Sequence, residues 1–258
     1  TLRNSSAASD VYKRQIKRWY SFLNFQKKNL KAVKKVISPS LSSKNDICRY
    51  FDYPSKNISV IWNGINLDDC KFHQRGSFNA NFVTIISADV PMKNLKTVLK
   101  ALYLLKQEGI NAKLTIVGDL REDNNKLIDR LGLTKEITYK SKLLRKQLIQ
   151  SLNNADIGIA PSKYEGFGFP LVEMIATGLP VIVSDKASLP ELAGNAGLIF
   201  NSSDSNDLKE KMKELIENAA LRNKVTENSK LRRDDFFGWD EYAKKLEDLY
   251  KEIISGNI

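Results

Sequence analysis

The chain has 258 residues, enough for one large or two small domains with a substantial buried core. Hydrophobic residues make up 42% and charged residues 28%, which excludes a disordered or fibrous protein, and two cysteines in this length exclude a disulfide scaffold. A formal net charge of +11 and a pI near 9.4 indicate attraction to anions, whether nucleic acid, an acidic membrane surface or phosphorylated small molecules.

The first fifteen residues carry no functional prediction. Asp10–Gln15 resemble one reading frame of a transposon end used to build sequencing libraries, and a Ser/Ala-rich run precedes them. We therefore expect residues 1–15 to be a non-native artefact, with native sequence entering near Ile16.

A basic segment follows. Residues 13–35 contain nine Lys or Arg side chains and no acidic one, and the pattern from Ile16 to Val36 predicts a helix. No apolar run reaches the roughly 20 residues that a membrane-spanning helix needs. We expect a cytoplasmic protein, with peripheral contact at the inner face of the membrane left open.

Two short strands and a linker come next. Val36-Ile37 ends at a Ser-Pro-Ser turn, a polar helix runs through 46–50, and the β-branched run 58–61 closes on Asn63-Gly64. The polar stretch up to Phe78 is interpreted as a linker.

From Phe82 onward, strands alternate with helices, which predicts a doubly wound parallel sheet of the Rossmann-like α/β class. Uncharged runs such as 157–160 indicate strands that are covered on both faces. The predicted strands are 82–87, 113–117, 137–139, 156–160, 181–184 and 197–200. The predicted helices are 95–107, 125–131, 145–153, 171–177 and 207–218, followed by helical pattern only from 221 to 254.

The segment 162–173 carries the chemistry. It lies between a predicted buried strand and a helix that should begin near Pro170. Gly166 and Gly168 allow close approach of the backbone to a ligand, and the helix N-terminus favours a phosphate. Glu165 and Glu173 bracket this anion site and are better suited to accept hydrogen bonds from sugar hydroxyls than to pair with phosphate.

This pair of glutamates, with Gly-Phe-Gly-Phe-Pro between them, resembles the E-x7-E signature of family 4 retaining glycosyltransferases. Gly118-Asp119 after a strand, Ser188–Glu191 and Trp239 add to the resemblance, which runs from about residue 36 to 254. It implies a GT-B fold of two Rossmann-like domains. It also implies transfer of a sugar from a UDP- or GDP-sugar to a glycan or lipid-linked acceptor in cell-surface polysaccharide synthesis, without a metal or other cofactor.

The resemblance implies a role for each site residue. Glu173 would bind the nucleotide ribose and Glu165 the transferred sugar, and Lys93 would neutralise the diphosphate. The sugar and diphosphate would lie against Gly166, Phe167, Gly168 and Phe169. The nucleotide base would lie near Gly118, Lys142 and Leu143.

One position departs from the family pattern. An arginine usually precedes the lysine by a few residues, but 87–90 reads Ser-Ala-Asp-Val. Arg121 or Lys142 would then supply the second cation, or the phosphate would be held more weakly. No strong general base is expected, because the leaving diphosphate can deprotonate the acceptor, and His73 is interpreted as a surface residue.

The resemblance also divides the chain. Residues 16–78 would be the remnant of an N-terminal acceptor domain with its linker, 79–235 the nucleotide-sugar-binding domain, and 236–258 the closing crossover helix. We therefore expect this chain to bind donor without turning it over.

Two alternatives stay open at this point. The basic segment could make the protein a membrane- or nucleic-acid-binding module, although we expect no nucleic-acid partner. A nucleotide-sugar epimerase of similar fold is the other, since fold alone does not decide function.

Overall fold

The structure is a computed structural model that describes the backbone of residues 3–256 and the side chains of 16–86 and 89–256. The side chains of residues 1–15, which the sequence predicts to be a non-native artefact, lie outside this described part. The chain divides into two compact units, Thr1–Val60 and Ile61–Ile258.

The first unit combines helices with a small parallel sheet. The Ser40 side chain accepts the backbone N–H of Ser43 at 3.1 Å and begins the second helix. Val36 pairs with Ile58 in parallel register, so the two predicted strands are confirmed. The elements are α1 (Arg3–Leu30), β1 (Val36–Ser38), α2 (Leu41–Phe51) and β2 (Ile58–Val60).

The second unit is built on six parallel strands: β3 (Asn81–Ala88), β4 (Lys113–Asp119), β5 (Ile137–Lys140), β6 (Ile157–Ala160), β7 (Val181–Ser184) and β8 (Gly197–Phe200). Their spatial order is β5-β4-β3-β6-β7-β8. The chain extends outward from β3 in one direction, then returns to build the other half beginning with β6. A topological switch point therefore lies between β3 and β6, and the predicted doubly wound α/β fold is confirmed.

Helices cover both faces of this sheet. Alternate residues of β3 point to opposite faces: Phe82 and Ile86 join one apolar cluster, whereas Val83 and Ile85 join the other. The helices are α3 (Leu95–Gln107), α4 (Glu122–Arg130), α5 (Arg145–Asn153), α6 (Phe169–Ala176), α7 (Leu189–Ala193), α8 (Ser205–Glu217), α9 (Ala219–Arg233) and α10 (Trp239–Ile254). The first cluster includes side chains of α3 and α8, and the second includes those of α6.

Small shifts in predicted boundaries have local causes. Helix α4 begins at Glu122 rather than Asn125, because Glu122 and Asp123 in its first turn suit the positive end of the helix dipole. Strand β6 begins at Ile157, and the carboxylate of Asp156 just before it accepts the backbone N–H groups of Asn79 and Asn81 at 3.0 and 2.9 Å.

The stretch interpreted as a linker packs on the second unit, so the compact units divide at residue 60 rather than at 78. Arg75 contributes to this packing. Its guanidinium donates to the carbonyl oxygens of Ala155 at 2.7 Å, His73 at 3.0 Å, Thr177 at 3.2 Å and Leu152 at 3.4 Å. Burial lowers the pKa of Arg75 to about 10, so the group stays charged at neutral pH.

Replacing Arg75 by Met should lower the free energy of unfolding by about 2 to 3 kcal/mol, because partly buried carbonyls lose a charged donor. Denaturant unfolding followed by circular dichroism measures this loss. Lys71→Met is the matched control, since Lys71 lies four residues away and is exposed. Equal unfolding midpoints for the two variants would contradict the role given to Arg75.

Candidate functional site

The switch point brings two loops together at the carboxyl ends of β3 and β6. The backbone N–H of Lys163 donates to the carbonyl of Met92 at 2.7 Å. The buried Asn94 amide donates to the carbonyls of Pro161 at 3.0 Å and Ser202 at 2.8 Å. These hydrogen bonds fix the loop after β3 against the loop after β6, so that Lys93 and Glu165 lie side by side.

Lys93 and Glu165 form an ion pair in this structure. Their Nζ and Oε1 atoms are 2.6 Å apart, and the two side chains are 20% and 19% exposed. Both side chains keep some access to solvent, so an anionic ligand could compete with the carboxylate for the lysine.

The glycine loop has a conformation that only glycine adopts readily. Gly168 has φ 92° and ψ 53°, and a Cβ built there would lie 3.1 Å from Leu189 Cδ2. The buried Ser188 Oγ lies 2.9 Å from the carbonyl oxygens of both Glu165 and Phe167 and so holds the turn. Gly166 lies in the same loop. Pro170 occupies the first turn of α6, as predicted, and the loop presents the N-terminus of this helix.

The two phenylalanines of the loop have different environments. Phe167 is 4% exposed and belongs to the core, so only its main-chain groups are available to a ligand. Phe169 is 39% exposed and contacts Phe167 edge-on, with ring centroids 5.2 Å apart. The ring centroids of Trp239 and Phe169 are 6.4 Å apart, and the ring of Tyr242 contacts that of Trp239 edge-on. An exposed aromatic surface therefore borders the glycine loop.

Glu173 has a partner that sequence reasoning missed. Arg145, the first residue of α5, donates through Nη1 to Oε1 of Glu173 in a short contact. Burial raises the pKa of Glu173, while Arg145 acts in the opposite direction. One signal in the sequence could have found this residue: cations are disfavoured in the first turn of a helix, yet α5 begins with Arg145 and Lys146 and has no acidic residue there.

Arg145 has two further contacts, both with the stretch before β3. Its Nε donates to Asp69 Oδ2 at 3.2 Å, and its Nη2 lies 3.2 Å from Cys70 Sγ. Burial is the main cause that raises the pKa of the Cys70 thiol to about 11, so Cys70 is neutral at physiological pH. Both cysteines are free thiols.

An aspartate occupies the stretch where the family pattern has an arginine. Asp89 is buried and accepts the backbone N–H of Arg121 at 2.8 Å and the amide of Asn124 at 2.7 Å. Its carboxylate thus ties the loop after β3 to the start of α4. Arg121 borders a cavity of about 380 Å³ whose lining also includes Asp89 and Lys163 but not Lys93. The role of Arg121 as the second cation beside Lys93 stays a prediction.

The predicted base-binding residues lie at the same edge of the sheet. Gly118, with φ 131°, is near the end of β4, and Lys140 at the end of β5 pairs with Val117. Lys142 is exposed with φ 51°, and Leu143 is partly buried against the core. Their roles stay predictions.

Among the residues whose side chains are described, no three His, Cys, Asp or Glu side chains group to hold a metal ion. Within that same part, none of the helices is long and apolar enough to cross a bilayer. His73 is exposed, and its backbone N–H donates to the Thr177 carbonyl at 3.2 Å.

Two curated proteins are similar over most of the chain. The MMP alpha-(1->4)-mannosyltransferase of Mycolicibacterium hassiacum is 28% identical over 247 residues, which cover 93% of this chain and 59% of that protein. O-antigen chain mannosyltransferase B of Escherichia coli is 26% identical over 239 residues, which cover 86% of this chain and 62% of that protein. The chain thus spans about three fifths of the length of these relatives.

A solved structure has the same fold. The pneumococcal O-GlcNAc transferase GtfA, solved in complex with UDP and GlcNAc, superposes with a TM-score of 0.72 at 19% identity, over 91% of this chain and 48% of that chain. The model of the family described as "Glycosyl transferases group 1" matches residues 71–232, which include β3 to β8, the glycine loop and both glutamates. The chain belongs to the group 1 glycosyl transferases, and its second unit is the Rossmann-like fold of a GT-B glycosyltransferase.

Proposed function

We propose that this chain holds the nucleotide-sugar donor of a retaining, family 4 enzyme that passes the sugar to a glycan or lipid-linked acceptor in cell-surface polysaccharide synthesis. The observation that carries the proposal is the arrangement of Lys93, Glu165 and Glu173 around the glycine loop at the switch point. Ligands of doubly wound folds bind at this crevice. The mannosyltransferase and O-antigen names of the two curated relatives support the acceptor class.

The diphosphate is proposed to bind between Lys93 and the N-terminus of α6. The N-terminus of a helix presents backbone N–H groups without helical partners and the positive end of the helix dipole, and both favour an anion. Lys93 would exchange its carboxylate partner for a phosphate oxygen and stabilise the charge that grows on the departing nucleotide. The donor would be a UDP- or GDP-sugar, and UDP is the nucleotide bound to the pneumococcal transferase.

The remaining contacts follow from the positions of the side chains. Oε2 of Glu173 has no hydrogen-bond partner among the described residues and would accept the ribose hydroxyls. Glu165, released from Lys93, would accept hydroxyls of the transferred sugar. Gly118, Lys142 and Leu143 would contact the base. No metal is assigned a role, and the leaving diphosphate would take the proton of the acceptor on the same face of the sugar.

Glu173→Ala should weaken nucleotide binding at least about tenfold, because a hydrogen bond to a charged group contributes about 1.5 to 3 kcal/mol. Lys93→Met should weaken it similarly. Calorimetric titration with UDP, GDP, ADP and their sugars measures both effects. Lys96→Met is the control, since Lys96 is an exposed lysine three residues away. The proposal fails if the folded wild-type chain binds none of these nucleotides.

Gly168→Ala should impair binding beyond its effect on stability. A left-handed backbone with an alanine costs about 1 to 2 kcal/mol. Gly109→Ala is the matched control, because Gly109 has φ 75° and open space around its Cβ. Unfolding and calorimetry should find both variants destabilised but only Gly168→Ala defective in binding UDP or GDP. Equal affinities in the two variants would exclude the glycine loop from the site.

We propose peripheral membrane contact through α1 as a second, compatible property. Its support is a set of exposed aromatic side chains on a basic helix, a combination typical of interfacial binding. These side chains are Trp19, Tyr20, Phe22 and Phe25.

Sedimentation with phosphatidylglycerol vesicles should pull down the chain at low salt and release it at high salt, whereas phosphatidylcholine vesicles should not bind it. Phe25→Ser should weaken this binding, and Tyr50→Ser, which alters an equally exposed aromatic on α2, should not. Binding that is insensitive to Phe25, or absent from anionic vesicles, would count against the property.

A further inference from the structure

Arg145 is a charged residue next to the proposed donor site to which the proposed function gives no role. Its guanidinium is shared by Glu173 on α6 and by Asp69 and Cys70 on the stretch before β3. Three segments distant in sequence therefore meet at one side chain. Arg145 is 38% exposed and Glu173 13%, so the guanidinium is closer to solvent than the carboxylate it contacts.

We infer that Arg145 is a positioning residue for nucleotide binding: it fixes one oxygen of Glu173 and keeps the carboxylate charged, so that the other oxygen can accept the ribose hydroxyls. This inference rests on the proposed function. Arg145 need not touch the nucleotide, because its contact is with Oε1, while Oε2 has no partner among the described residues.

The geometry favours positioning over a merely stabilising surface pair. A guanidinium binds through a rigid, planar set of donors, and here three different nitrogens are each directed to a different acceptor. Asp69 and Cys70 therefore fix the plane of the guanidinium, and the guanidinium in turn fixes the rotamer of Glu173.

The charges around Glu173 explain why a cation is needed there. The titratable groups that act on it are Arg145 from α5, and Asp69 from the stretch before β3, with Cys70 beside them. Burial and Asp69 both raise the pKa of Glu173, and only Arg145 lowers it. The Cys70 thiol adds no charge near neutral pH, because its pKa is about 11.

The direction of the pH effect follows. Without Arg145, the pKa of Glu173 rises further, so a larger fraction of the carboxyl is protonated at and below neutral pH. A protonated carboxyl is a weaker acceptor for ribose hydroxyls. Affinity for nucleotide should therefore fall most at low pH and recover as the pH rises through the pKa of Glu173.

Three variants separate these effects. Arg145→Gln removes the charge, Arg145→Lys keeps it, and Lys146→Gln removes a neighbouring exposed charge on the same helical turn as the matched control. Calorimetry with UDP and GDP from pH 5.5 to 8.5 should find Arg145→Gln at least tenfold weaker at the acid end and close to wild type at the alkaline end. Arg145→Lys should restore most of the loss, and Lys146→Gln should follow the wild-type profile.

A second measurement needs no ligand. Carbon-13 NMR titration of glutamate carboxyls, with Glu173→Gln to assign the signal, should give a higher pKa for Glu173 in Arg145→Gln than in wild type or Lys146→Gln. Wild-type binding together with an unchanged Glu173 pKa and an unchanged pH profile in Arg145→Gln would overturn the inference alone. A wild-type chain that binds no nucleotide overturns the proposed function, while the carboxyl titration still decides whether Arg145 sets the charge of Glu173.

Discussion

The contact between the loops after β3 and β6 is the constraint on which the candidate site depends. Parallel strands place their carboxyl ends at one edge, and the reversal of strand order leaves a crevice between these two loops. The Asn94 amide closes the base of this crevice by bonding to the carbonyls of Pro161 and Ser202, which follow two other strands. Because Asn94 also begins α3, the position of Lys93 is fixed by the sheet itself.

Acidic and basic side chains are paired at this edge of the sheet, although the chain as a whole has a net charge of +11. Each glutamate of the signature has one cation: Lys93 for Glu165 and Arg145 for Glu173. Asp89 lies in the stretch where a second phosphate-binding cation was expected. Its carboxylate accepts hydrogen bonds from the backbone N–H of Arg121 and the side-chain amide of Asn124. Much of the surplus positive charge of the chain lies elsewhere, in the basic segment at 13–35.

Features that depend on neighbours in sequence were predictable. Strand, glycine loop and helix follow one another without interruption, so the sheet, the start of α6 near Pro170 and the place of both glutamates could be inferred from residue order. The predicted glycosyltransferase family is confirmed by the family match. The basic start of α5 could single out Arg145, but its pairing with Glu173 could not be inferred from residue order, because the two lie 28 residues apart and meet only in the folded chain. The different environments of Phe167 and Phe169 likewise arise from tertiary packing at the turn.

The ion pair of Lys93 and Glu165 has a consequence for selectivity under the proposed roles. In this structure the carboxylate that would recognise the sugar is already engaged by the lysine at 2.6 Å. A free monosaccharide has no group that can draw the lysine away, so it meets an acceptor that is occupied. A sugar attached to a diphosphate carries its own counter-anion, which releases the carboxylate as it arrives. Recognition of the sugar would then depend on the attached diphosphate. The abundant free sugars of a cell would not compete with the nucleotide sugar for Glu165.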